Sequence, residues 1–257
     1  MKLKFLHLNT LGGVKIDEVI SYIKENDFDI VHLQEVGGKE QSKSVPDNFA
    51  HYKEQLGYSG ELAISSIFNN DFGCYTGNAS LFKPEFHYIQ KEVVWLRPFK
   101  SVDPTYHVDR SKTASLPRNA LALKFKFNSQ PIWFINTHLA WGPTPLDEPY
   151  KIEQGKILRD FIQKLKDPFV LSGDFNVTKD SQIVAMMDEL GVDHAVEAGL
   201  TNTLNGNLHR VPDLFPQGLA VDYIFTSFGM KTEDFKLIDT PDLSDHYGLR
   251  ITVEIED

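Results

Sequence analysis

The apolar run Pro168-Phe169-Val170-Leu171 breaks at once into Ser172-Gly173-Asp174-Phe175-Asn176. A run so short and so uniformly apolar fits a strand buried on both faces of a sheet. Gly173 lets the backbone bend sharply, so that Asp174 and Asn176 face one cleft. A carboxylate and a carboxamide two residues apart suit a hard divalent cation and a phosphate-bound water, whereas zinc asks for His and Cys. Alone, the stretch reads equally well as an Asx-rich turn closing a strand. What decides between the two is whether other strands end the same way.

They do. Leu3 to Leu8 reads as a first strand ending at Asn9-Thr10, followed by Gly12-Gly13 and a helix over about 14–25 with Ile16, Val19, Ile20 and Ile23 on one face. Asp29 to Leu33 is a second strand stopping at Gln34-Glu35, which completes a crossover unit. Polar groups after strand C-termini are where α/β sheets place their sites. A helix over 45–56, with Pro46 near its first turn, precedes strands at 61–68 and 78–82 and an extended stretch at 86–96. Pro131 to Ile135 ends in Asn136-Thr137-His138. A helix over about 150–166 carries Ile152, Ile157, Leu158, Phe161, Ile162 and Leu165 as its buried stripe, and another helix covers 181–190. Val221-Asp222-Tyr223-Ile224-Phe225 is a strand with an embedded acid, which needs a partner if buried. Leu243-Ser244-Asp245-His246 precedes the last strand, at 249–255.

Two segments read as loops. Residues 97–118 hold Arg97, Lys100, Arg110, Lys112 and Arg118 against Asp103 and Asp109, with three prolines. A loop of that length is usually functional or disordered. Arg118 abuts the strand at 119–123 and is the cation best placed to be held rigidly for a bidentate phosphate contact. Residues 201–218 are polar and read as a surface loop bordering the substrate.

At 257 residues, with no Pro/Gly/Ser-rich linker and no internal repeat, the chain is expected to form a single domain, 1–257. A net charge of −10 argues against sequence-independent wrapping of nucleic acid, which draws most of its affinity from a basic footprint. Cys74 is the sole cysteine, so no internal disulfide is possible and a reducing, cytoplasmic setting is expected. Met1-Lys2-Leu3-Lys4 enters a strand pattern without an export signal's apolar region, and no run approaches membrane-spanning length, so no membrane anchor is expected.

Leu8-Asn9, Leu33-Gln34-Glu35-Val36, Asn136-Thr137-His138-Leu139, Gly173-Asp174-Phe175-Asn176, Val221 to Phe225 and Ser244-Asp245-His246 recur in an order that resembles the endonuclease/exonuclease/phosphatase superfamily, from first strand to last. The resemblance implies a four-layer α/β sandwich, two packed mixed sheets flanked by helices, like deoxyribonuclease I. It implies a Mg²⁺- or Mn²⁺-dependent hydrolase of phosphoester bonds, of the phosphodiesterase or nuclease class, and a monomer is expected. Carried over by position, Glu35 is the main metal ligand with Asn9 beside it, and Asp245 is a further ligand or lies behind one. Asp174 activates the attacking water and Asn176 binds a phosphoryl oxygen. His246 grips the phosphate, Asp222 holds its ring, and His138 stabilises charge. Arg118, Asn78 and Asn136 contact substrate. The exonuclease III pattern Asn-x-Tyr-x-Pro-Asn is missing at 136–138, which points to the branches resembling deoxyribonuclease I, sphingomyelinases, deadenylases and tyrosyl-DNA phosphodiesterase. The leading expectation is a phosphodiesterase. The alternatives are a DNA or RNA nuclease using the basic 97–118 segment, and a catalytically silent module that binds a phosphorylated partner.

Overall fold

The computed structural model describes residues 1–39, 46–68, 74–103, 110–142, 144–209, 216–238 and 243–256. In chain order, β1 (Lys2–Asn9), α1 (Ile16–Asn26), β2 (Ile30–Gly38), α2 (Asn48–Leu56), β3 (Ser59–Phe68) and β4 (Tyr75–Phe82) come first. Then follow β5 (Tyr88–Arg97), β6 (Lys100–Val102), β7 (Arg118–Phe127), β8 (Gln130–His138), α3 (Pro149–Ile162) and β9 (Phe169–Asp174). The last are α4 (Gln182–Asp188), β10 (Gly191–Asp193), α5 (His194–Glu197), β11 (Asp222–Ser227), β12 (Thr232–Ile238) and β13 (Gly248–Glu254). One sheet has the order β12-β13-β1-β2-β4-β3-β6 and the other β10-β11-β9-β8-β7-β5.

Strand alternation sorts the side chains into layers. On β1, Leu6 and Leu8 pack with Val19, Ile20 and Ile23 of α1 and Tyr52 of α2, while Leu3 and Phe5 meet the opposite sheet. On the other sheet, Trp133, Ile135, Leu171, Tyr223 and Phe225 lie with Leu158 and Ile162 of α3 and Ile183, Val184 and Met187 of α4. Between the sheets, Phe134 is ringed by Phe5, Phe125 and Phe127 at centroid distances of 5.8, 5.8 and 6.2 Å. The fold is therefore helices, sheet, sheet, helices, the expected sandwich.

The inner rows change character along their length. Phe5, His7 and Asn9 follow one another on β1, and Ile30, His32 and Gln34 on β2. Phe134, Asn136 and His138 do so on β8, and Val170, Ser172 and Asp174 on β9. β1 and β2 are parallel neighbours, as are β8 and β9, so within each sheet the polar ends lie level. β11 runs antiparallel to β9 and sets Asp222 opposite Asp174. The intersheet space is thus apolar at one end and hydrogen-bonding at the other.

Several local expectations are corrected. α1 starts at Ile16, after a 3-10 turn over Leu11–Gly13. α2 starts at Asn48, because Asp47 caps it by accepting from Ala50 N at 3.1 Å, which leaves Pro46 outside; Val45 is not among the described residues. The 97–118 segment is not one long loop: β6 adds in parallel to the edge of β3, and Arg110–Ser115 form a 3-10 helix. Asp109 lies outside the described residues, as does Arg210 of the second loop. In that second loop Thr203 and Asn205 are buried, and Leu204 bridges to His246. α3 ends at Ile162, and its buried face is Lys151, Gln154, Gly155, Leu158 and Ile162. The expected stripe is rotated, and two polar side chains occupy its first turn and a half. Among the described residues no helix is long and apolar enough to cross a membrane.

Candidate active site

At the polar end of the sandwich is a cleft of about 560 Å³. Glu35, Asn78, Arg118, His138, Asp174, Asn176, Asp245 and His246 all line it. Asn9 and Asp222 lie immediately behind that lining, and Asn136 lies deeper.

Asp222 anchors one side. Its Oδ2 accepts from Thr203 Oγ1 at 2.6 Å and pairs with His246 Nδ1 at 2.9 Å, while Oδ1 pairs with His7 Nε2 at 3.0 Å. Burial alone would raise its pKa, but the His246 charge and the hydrogen bonds from His246 and His7 hold the carboxyl well below the usual range. For His246 burial acts downward, and Asp222 and Asp174 more than reverse it, lifting the ring well above its ordinary value. Asp222 is thus an anion that keeps His246 charged and fixes its ring. His138 is the opposite case: burial and then Arg118 push it well below its ordinary value, so it is a neutral imidazole at pH 7.

Asp174 stands between these rings. Its Oδ2 accepts from Asn9 Nδ2 at 3.1 Å and lies 3.4 Å from His138 Nε2 and 3.8 Å from His246 Nε2. Its Oδ1 accepts the backbone N–H of Asn176 at 3.0 Å. Burial raises its carboxyl to about 7, against the pull of His246. That value suits a group that takes up or releases a proton near neutrality.

Two side chains reach the cleft through strained backbone. Asn176 has φ +53° and Glu35 φ +56°, the left-handed region. Asn tolerates it; Glu does so at a cost. The cause at Glu35 is a bulge, since the β2–β4 pairing slips between Leu33 and Val36. Leu33 and Val36 both belong to the cluster under α1 and α2, so unbroken alternation would have sent residue 35 to that same outer side. The bulge turns it to the cleft instead. Burial and the nearby Asp245 charge raise the Glu35 carboxyl.

The amides of Asn9 and Asn136 are engaged within the protein. Asn9 Oδ1 accepts the N–H of Leu11 at 3.2 Å, so its nitrogen faces Asp174 and, at 3.5 Å, Glu35. In this arrangement the Asn9 nitrogen braces both carboxylates. Asn136 is fully buried, donating to Leu33 O at 3.1 Å and Ala79 O at 2.7 Å and accepting from Gln34 Nε2 at 2.5 Å. Both amide protons are spent on the opposite sheet, so Asn136 clamps the two sheets together. Asn78 lines the cleft with its Nδ2 bonded to Asn119 O at 2.9 Å and Asn119 Oδ1 at 3.0 Å. Arg118 donates from Nε to Leu139 O at 3.2 Å.

For a cation, Asp174, Asp222 and His246 have donor atoms within 4.8 Å of one another. Both Asp222 oxygens are already engaged, so this trio serves proton handling better than ligation. Glu35 and Asp245 fit better. Both are cleft-lining carboxylates, and the like charge of Asp245 helps raise Glu35, a repulsion that a bound hard cation would relieve. Sequence reasoning missed His7, Thr203 and Lys151. A histidine inside an apolar strand is a weak signal for His7; nothing local marks the other two.

The chain matches the model of the Endonuclease/Exonuclease/phosphatase family over residues 6–246. No curated protein matches it. Among solved structures, an endonuclease/exonuclease/phosphatase from Bacteroides vulgatus superposes with a TM-score of 0.75 at 19% identity, covering 100% of both chains. A mannosyl-6-phosphatase from Bacteroides thetaiotaomicron gives 0.69 at 18%, covering 98% of this chain and 100% of that one. The human Nocturnin catalytic domain, solved with a bound sulfate anion, gives 0.72 at 16%, covering 99% and 94%.

Proposed function

Because the chain belongs to the Endonuclease/Exonuclease/phosphatase family, we propose that it is a Mg²⁺- or Mn²⁺-dependent phosphoesterase acting on phosphodiesters. The observation that carries this reading is the pairing of Asp174, raised to about 7, with a His246 that Asp222 keeps charged. Asp174 accepts the proton of an attacking water. His246 places its imidazolium against the phosphoryl oxygens and Arg118 adds a second cation, so that charge developing in the transition state is neutralised by groups already in place. Asn176 offers the amide proton that Leu139 O leaves over. His138, neutral, donates its ring N–H to the leaving oxygen as charge builds there. Glu35 and Asp245 would hold the divalent ion, which would supply Lewis-acid withdrawal of charge from the phosphoryl group.

Hydrolysis of bis(p-nitrophenyl) phosphate tests this. We expect turnover that EDTA abolishes and Mg²⁺ or Mn²⁺ restores, and that His246→Ala lowers by about a hundred- to a thousandfold. Metal-independent turnover, or an active His246→Ala, rejects the reading. A folded wild-type protein that binds phosphate esters and cleaves none is instead the silent binding module. Faster cleavage of oligonucleotides than of small diesters favours the nuclease.

A further inference from the structure

Lys151 lies in the first turn of α3 and is fully buried. Its Nζ donates to the carbonyl oxygens of Thr144 and Asn176, each at 3.0 Å, and no carboxylate among the described residues pairs with it. A buried ammonium served only by neutral carbonyls is rare, because desolvation is offset by no opposite charge in contact. Burial accordingly lowers its pKa. The surroundings are closed around it: a Cβ on Gly142 would lie 3.1 Å from Nζ and 2.7 Å from Tyr150 Oη. Gln154, on the same face of the helix, accepts the N–H of Ala140 at 2.9 Å. Two polar side chains of α3 thus tie down the segment after β8, and Lys151 alone also reaches the turn after β9.

That turn carries the proposed chemistry. Asn176 sits at φ +53°, its N–H on Asp174 Oδ1 and its Nδ2 on Leu139 O at 3.1 Å. Its carbonyl oxygen is the remaining main-chain handle, and Lys151 takes it. We propose that Lys151 is a positioning residue that holds Asn176 in its left-handed conformation and so aims the Asp174–Asn176 pair into the cleft. It touches no substrate.

The claim about turnover rests on the phosphoesterase reading; the claim about backbone order does not. The test is Lys151→Met, which keeps volume and removes charge and donors, with Lys151→Gln as a second variant retaining donors. Amide exchange followed by NMR is expected to show the Asn176 N–H losing protection at least tenfold in Lys151→Met, with core amides such as that of Phe134 unchanged. With bis(p-nitrophenyl) phosphate, kcat is expected to fall roughly ten- to a hundredfold, the cost of misplacing reacting groups by about an ångström. KM and the Mg²⁺ concentration for half-activation should stay within threefold, and Lys151→Gln should recover part of both losses. Unchanged Asn176 protection in a folded Lys151→Met overturns the proposal, as does equal loss across all amides or failure of both variants to fold. If the wild-type protein cleaves nothing, the phosphoesterase reading fails and the exchange experiment still decides the role of Lys151.

Discussion

Asp174 works against the fold that contains it. A carboxyl raised from 3.8 to about 7 binds its proton more tightly when folded than when unfolded. Its contribution to stability is therefore complete below about pH 4 and lost as pH climbs through 7. Asp174→Asn should remove that decline, so that without metal its Tm at pH 8 exceeds wild type while turnover falls about a hundred- to a thousandfold. Thermal melts of both proteins across pH 4–8 check this; a variant that melts earlier at pH 8 contradicts it. Asp174 and Glu35 stand out in the sequence because each is polar where a short apolar run stops, and His246 because it directly precedes the last such run. His7, Thr203 and Lys151 do not, since each is defined by a partner outside its own element: Asp222 lies 215 residues from His7 and 19 from Thr203, and Asn176 lies 25 from Lys151. The same limit explains Asn136, whose position at a strand end suggested the substrate and whose bonds run to the other sheet.

At the scale of elements, the bulge in β2 is the feature no periodicity announces. It puts a glutamate in a left-handed conformation that costs a non-glycine residue about 1–2 kcal/mol. Glu35→Gly relieves that strain and Glu35→Gln keeps it, so the glycine variant should be the more stable by about 1 kcal/mol in urea unfolding. Both should lose metal-stimulated turnover. Equal stabilities would mean that the positive φ at this position carries no cost. Strands were readable from short apolar runs and α1 from its apolar stripe. α3 misled, because its first turn faces a hydrogen-bonding region and so buries Lys151 and Gln154 where a stripe predicts isoleucine.

Across the whole molecule, the two sheets are joined by an aromatic centre and divided in chemistry. Phe134, buried with three phenylalanine rings around it, is the hub of the dry end. Phe134→Ala should cost about 3–5 kcal/mol by urea unfolding, with kcat of the surviving folded fraction little changed. A loss under 1 kcal/mol would show that the centre is loosely packed. With a net charge of −10, the surface offers no general attraction for polyanions. Cleavage of a small diester should change less than twofold between 50 and 200 mM salt at fixed Mg²⁺, whereas a protein making six to ten phosphate contacts loses about 10³–10⁵ in affinity over that range. The sandwich itself was foreshadowed by the family that the order of strand-end groups resembles, but which sheet each strand joins was not, since pairing such as β1 with β13 closes across nearly the entire chain.

That closure has a bearing on how the protein is made. Asn9 emerges from the ribosome early and His246 late, and both abut Asp174. A nascent chain lacking β13 and the segment before it carries Glu35, Asp174 and Asp222 but neither Asp245 nor His246. Translation intermediates and C-terminally clipped fragments should therefore be inert toward the phosphate esters around them, so competence arrives as a single late event.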